Sequence, residues 1–176
     1  MKTNYKKAIK ALIKVGKNNS LFYYKTGNYY LISDGCCIIT VPAEDFKEIH
    51  TYSKVGLIEN ISLLNYLDKF YNQDTLEATQ TSLLIEDVTC NNYHSSLSQI
   101  RVFKLKNGDL VPINNDYVEI VKNTIYQDNI NYCNGLNTKT PIRYIEKNID
   151  GSLTGFIILP INFDVKGKLE YMLGLN

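Results

Sequence analysis

The chain has 176 residues, 44% of them apolar and 21% charged, with a formal net charge of +1. That is the size of one domain or two very small ones, and the composition excludes global disorder. No stretch approaches the ~20 apolar residues that span a bilayer, and no secretion signal opens the chain, so a cytoplasmic protein without membrane contact is expected.

Charge is unevenly spread. Residues 1–33 contain Lys2, Lys6, Lys7, Lys10, Lys14, Lys17 and Lys25 and no acid. Those seven of 19 basic residues leave 12 against 18 acids, about −6 for the remainder. Asn, Ile, Lys and Tyr are heavily used, Trp is absent, and Arg occurs only at Arg101 and Arg143. This bias suits the AT-rich genes of a low-GC bacterium or its mobile elements, phage among them.

In chain order, residues 4–17 fit a helix. At 100° per residue, Lys6, Lys7, Lys10, Lys14 and Lys17 share one arc of about 100°. Tyr5, Ala8, Ile9, Leu12, Ile13 and Val15 fill the opposite side. Asn4 is suited to the N-cap, and Gly16 ends the helix. The runs LFYYK and NYYLIS read as strands around a Thr26-Gly27 turn. Asp34-Gly35 marks a second hairpin leading into CCIITV, and Pro42 opens a short helix, PAEDFKEI. A helix over about 60–71 carries Ile61, Leu64, Leu67 and Tyr71 on one face, and SLLIEDV reads as a strand.

Residues 89–98 are polar and unpatterned, suiting a flexible loop or a domain junction. Beyond them, IRVFKLK and DLVPI flank Asn107-Gly108, the strongest hairpin signal in the chain. A helix over 115–123 follows. After the Asn-rich stretch 123–137, PIRYIEK and LTGFIILPI flank Asp150-Gly151. The expected class is α+β, with largely antiparallel sheets and packed helices. The expected units are 1–90 and 99–176, or one continuous domain.

No P-loop, GxGxxG, GxSxG, HExxH or paired-carboxylate motif is present, so no catalytic residue, metal or cofactor is assigned. Cys36, Cys37, Cys90 and Cys133 lack CxxC spacing and are expected to be reduced. A cysteine enzyme would need Cys90 with His94, or Cys133 with a distant histidine. Tyr23-Tyr24 and Tyr29-Tyr30 suit base stacking or, as ordinary strand residues, cross-strand packing. The lysine face is the sharpest feature. It has one sign and no i±4 acids, as a phosphate backbone would favour, although a solvated helix face also fits.

The order of elements and two local motifs resemble the DNA sliding clamps, the processivity factors of replicative polymerases. Lys7–Val15 (KAIKALIKV), Tyr29–Val41 (YYLISDGCCIITV) and the acid-containing Glu44–Phe46 are similar to that family's helix, strand and turn run. Pro141–Tyr144 (PIRY) and Gly155–Ile161 (GFIILPI) are similar to its closing hairpin. The resemblance implies helices lining a DNA-facing surface, sheets outside, and non-enzymatic, sequence-independent DNA binding. The helix lysines Lys6, Lys7, Lys10, Lys14 and Lys17 carry over as the nucleic-acid contacts. Asp68, Asp116 and Glu119 depart from that pattern. The alternative expectation is a protein-interaction or regulatory module without nucleic acid, and either reading is compatible with an oligomer.

Overall fold

The computed structural model describes residues 4–16, 20–46, 56–65, 76–88, 97–125, 130–135, 137–147, 151, 153–162 and 164–172. The fold is α+β. The helices are α1 (Tyr5–Gly16), α2 (Asn115–Thr124) and α3 (Val165–Met172), and residues 43–46 and 62–65 are also helical. The strands are β1 (Ser20–Thr26), β2 (Tyr29–Ser33), β3 (Cys37–Pro42), β4 (Gly56–Glu59), β5 (Leu76–Val88), β6 (Leu97–Leu105), β7 (Leu110–Asn114), β8 (Tyr132–Asn134), β9 (Ile142–Lys147) and β10 (Leu153–Ile158). They form one sheet in the order β4-β1-β2-β3-β10-β9-β8-β5-β6-β7. Among the described residues every pairing is antiparallel except β1 with β4.

The centre of this order is a palindrome. Helix α1 precedes the meander β1-β2-β3, and helix α2 precedes β8-β9-β10. The two meanders meet where β3 pairs antiparallel with β10, as two copies of one unit around a two-fold axis would. Their last turns both contain Asp-Gly, at 34–35 and 150–151, and Gly35 and Gly151 take φ of 99° and 81°. Positive φ is freely open only to glycine, so each turn needs its Gly. At the seam a Cβ on Gly155 would lie 3.0 Å from Thr40 Oγ1, so glycine there lets the two strands close up.

Alternation of side chains divides the sheet into two faces. Leu21, Ile32, Ile39, Val41, Phe103, Ile113, Ile142 and Phe156 belong to the main core, together with Tyr5, Ala8, Ile9 and Leu12 of α1 and Val118 and Val121 of α2. This is the helix face. On the open face, Leu31, Ile38 and Ile157 pack beneath Leu63, and Ile85, Ile100 and Val102 pack beneath Val165 of α3.

Helices α1 and α2 are each anchored across the seam. The hydroxyls of Tyr5 in α1 and Thr154 in β10 share a 2.8 Å hydrogen bond, and Tyr117 of α2 donates to Asp34 Oδ2 at 2.6 Å. Helix α1 therefore docks on the second meander and α2 reaches the first. Asn4 N–H donates to the Thr124 carbonyl, which sets the start of α1 beside the end of α2.

Several expectations need correction. Thr26 ends β1, so the first turn is Gly27-Asn28. Pro42 closes β3, and the short helix expected there begins one residue later, at Ala43. Of the helix expected over about 60–71, residues 62–65 are helical, with Leu63 buried and Ile61, just ahead of them, 63% exposed. Residues 66–71, with Leu67 and Tyr71 of the expected apolar face, fall outside the described residues. Strand β5 starts at Leu76, ahead of SLLIEDV, because a bulge between Gln80 and Leu84 lets it continue. Thr81 Oγ1 holds the bulge, donating to the Val102 carbonyl and accepting from Leu83 N–H. The Asn-rich stretch yields β8, where buried Asn134 donates to the Thr140 carbonyl. Strand β4 and helix α3 carry no signal in the sequence pattern. Most of 89–98 lies outside the described residues.

Candidate nucleic-acid interface

The site begins with the placement of α1. Its apolar side packs on the sheet, which turns the lysine side outward. Lys7, Lys10 and Lys14 are exposed, Lys6 is half-buried with a polar or charged contact of its own, and Lys17 lies outside the described residues. At 1.5 Å per residue, Lys7 to Lys14 spans about 10 Å along the axis. Among the described residues, Lys7, Lys10 and Lys14 form no ion pair with an acid. Asn4 caps the helix, its Oδ1 accepting from Lys7 N–H at 3.0 Å.

This charge arrangement works against the helix. The N-terminal end of a helix carries about half a positive charge, and Lys6 and Lys7 sit in the first turn, where acids are favoured. Like charges at i,i+3 and i,i+4 add repulsion along Lys6, Lys7, Lys10 and Lys14. Folding gains nothing electrostatically from the first-turn lysines, and only Lys14, in the last turn, is favoured by the dipole; a polyanion would gain from the whole stripe.

Neighbouring groups limit the basic area. On α2, Asp116 is exposed and Glu119 pairs with Lys122 at 3.5 Å. Neither arginine extends the stripe: Arg101 Nε donates to Asn115 Oδ1 at 3.1 Å, and buried Arg143 Nε donates to Cys133 Sγ at 3.3 Å. Lys25 stands on the helix face of β1 with its Nζ 6.0 Å from the Tyr30 ring centre.

The tyrosine pairs divide between the faces as alternation requires. Tyr23 and Tyr30 face the helices, and Tyr30 stacks on Phe46 at 3.8 Å and 14°. Tyr24 packs against the open-face cluster, and Tyr29 donates to the Gly151 carbonyl. These rings serve cross-strand packing, with Tyr30 already engaged by Phe46, which weighs against base stacking.

Asp34, Cys37 and Tyr117, with half-buried Cys36 beside them, form a polar cluster beneath α2. Asp34 Oδ1 accepts from the N–H groups of Cys36 and Cys37, both at 2.9 Å, and Oδ2 accepts from Tyr117. Burial, reinforced by the Asp34 charge, raises the Cys36 thiol and raises the Cys37 thiol further. The same causes raise the Tyr117 phenol. All three are held neutral, so neither thiol here is an activated nucleophile. Cys36, Cys37 and Cys133 are free thiols. Cys90, His50 and His94 lie outside the described residues, and among the described residues no cluster of His, Cys, Asp and Glu is suited to a metal. In the sequence Asp34-Gly35 reads as a turn alone, since nothing local in the chain marks Tyr117 as its partner 83 residues on.

A cleft of about 680 Å³ lies between the β6–β7 turn and the start of α3. Leu110, Pro112 and Ile161 floor it, and its rim mixes Asp109 and Asp164 with Lys139 and Lys166. Asp164 Oδ1 is engaged in accepting from Gly167 N–H at the start of α3. No helix among the described residues is long and apolar enough to cross a membrane. Comparison with protein-family models, curated proteins and solved structures finds no match for this chain, so its function rests on the geometry above.

Proposed function

We propose that this chain is a non-enzymatic, clamp-like protein that binds DNA without sequence specificity through Lys6, Lys7, Lys10, Lys14 and Lys17 of its N-terminal helix. The observation that carries the reading is the exposed, one-sign stripe of Lys7, Lys10 and Lys14, without an ion pair among the described residues and starting in the first turn, where a lysine opposes the helix's own dipole. Two helices side by side on an antiparallel sheet support the clamp-like part of the reading. Such a stripe engages phosphates and carries no base-specific groups, so it positions without reading sequence.

Neutralising three to five phosphates gives a log–log salt slope of about −3 to −5 and affinity near 10⁻⁴–10⁻⁶ M or weaker at physiological salt. A Lys7/Lys10/Lys14 triple alanine variant flattens the slope by roughly three, with the fold retained. Titration of duplex and single-stranded DNA across ionic strength measures this. Absence of binding to both at low salt ends the reading. The apolar floor of the 680 Å³ cleft favours a second reading, a protein-interaction module. That reading takes first place if DNA fails.

A further inference from the structure

The two edges of the sheet differ. At β7, Pro112 has no N–H to offer, and its carbonyl already accepts from Ile161 N–H at 3.0 Å. At β4, no described strand pairs with the outer side. Ile58 and Ile61, the two exposed large apolar residues among the described residues, lie in and just beyond that strand, 48% and 63% exposed. An open edge bearing apolar side chains is a template for strand addition.

The backbone of β4 specifies how that edge can pair. Asn60 N–H donates to the Tyr23 carbonyl at 2.8 Å, so its polar groups point at β1. By alternation those of Ile58 do the same, leaving the N–H and C=O of Leu57 and Glu59 directed outward. We infer that β4 pairs antiparallel with β4 of a second copy of this chain, with Ile58 on the two-fold axis. In that register Leu57 of each copy faces Glu59 of the other. Each such pair exchanges two backbone hydrogen bonds, four in all, and Ile58 meets Ile58 as the close, non-hydrogen-bonded pair between them. The two Glu59 carboxylates are not opposed. Because β7 is blocked, the interface is isologous and closes at two copies instead of propagating. The axis runs normal to the sheet, so both α1 stripes lie on the same side of the joined sheet.

An edge this short falls below the ~1,000 Å² of a stable interface, so the dimer dissociates at roughly 10 µM to 1 mM. Sedimentation equilibrium of the full chain without nucleic acid is expected to show a reversible monomer–dimer equilibrium, abolished by Ile58→Lys with the circular dichroism spectrum unchanged. Under mild oxidation Ile58→Cys is expected to crosslink to itself, since non-hydrogen-bonded partners bring Cα atoms to about 4.5 Å. Glu59→Cys, facing Leu57, does not crosslink. A single monomeric species at millimolar concentration, or Glu59→Cys crosslinking as readily as Ile58→Cys, overturns the inference. Neither result bears on DNA binding, which the salt titration decides separately.

Discussion

Helices α1 and α2 occupy equivalent places in the two halves, yet their charges follow opposite rules. In α2, Asn114 caps the first turn by accepting from Asp116 N–H, Asp116 sits where the dipole favours an acid, and Lys122 closes the helix paired to Glu119. Each of these features stabilises the helix. Helix α1 is capped by Asn4 but has no acid in its first turn and lysines along its outer face. Buried faces of the two are alike; exposed faces are not. The difference separates what the fold requires of a helix from what a partner requires of it.

The largest expected effect tests the shared, buried side. Leu12 is fully buried, so Leu12→Ala is expected to cost about 2–5 kcal/mol by leaving a cavity. Lys10→Ala changes stability by less than about 0.5 kcal/mol. Chemical denaturation reads both, and comparable costs would break the division into a packed and a presented face.

Next come the two cross-seam hydroxyls. Tyr117→Phe leaves Oδ2 of the buried Asp34 carboxylate without its donor, the two N–H bonds to Oδ1 remaining, and is expected to cost about 1.5–3 kcal/mol. Tyr5→Phe removes a bond between two neutral hydroxyls and costs about 0.5–1.5 kcal/mol. Equal costs would mean that Asp34 is better hydrated than its burial suggests. pH sharpens the same contrast. The Cys36, Cys37 and Tyr117 groups are all raised in the fold. Their contribution is therefore complete below the unfolded values of about 8.5 for cysteine and 10 for tyrosine. It is lost as pH rises above them, because the unfolded chain then releases protons that the fold retains. Tyr117→Phe should reduce the alkaline slope above pH ~10 by up to about 1.4 kcal/mol per pH unit. An unchanged slope in thermal melts across that range would count against the buried Tyr117–Asp34 bond.

The smallest effect has the most diagnostic sign. Lys7→Glu places an acid in the first turn of α1 and is expected to stabilise the protein by about 0.3–1 kcal/mol while weakening DNA binding. A loss of stability instead would show that Lys7 serves the fold, and the contrast between the helices would lose its functional meaning.

The legible parts of the molecule were those written in short-range pattern. The α1 stripe, the Asp34-Gly35 and Asn107-Gly108 turns and the 115–123 helix each depend on residues within a few positions, and the structure has them where the pattern puts them. Strand β4 and the Asn-rich β8 were not legible because their pairing partners, not their own residues, hold them extended. The same holds for Asp34. A lone Asp-Gly reads as a turn, and only the arrival of Tyr117 from 83 residues away makes its carboxylate a buried anchor.

By itself the sequence determined the side of α1 that is buried, the glycine-dependent turns and the mixed, antiparallel character, since periodicity and φ preference act locally. Tertiary structure alone decided the palindromic sheet order, the helices crossed over each other's meanders, and which edge remains open. Those depend on long-range hydrogen bonds and on packing between segments that carry no mark of one another in the chain.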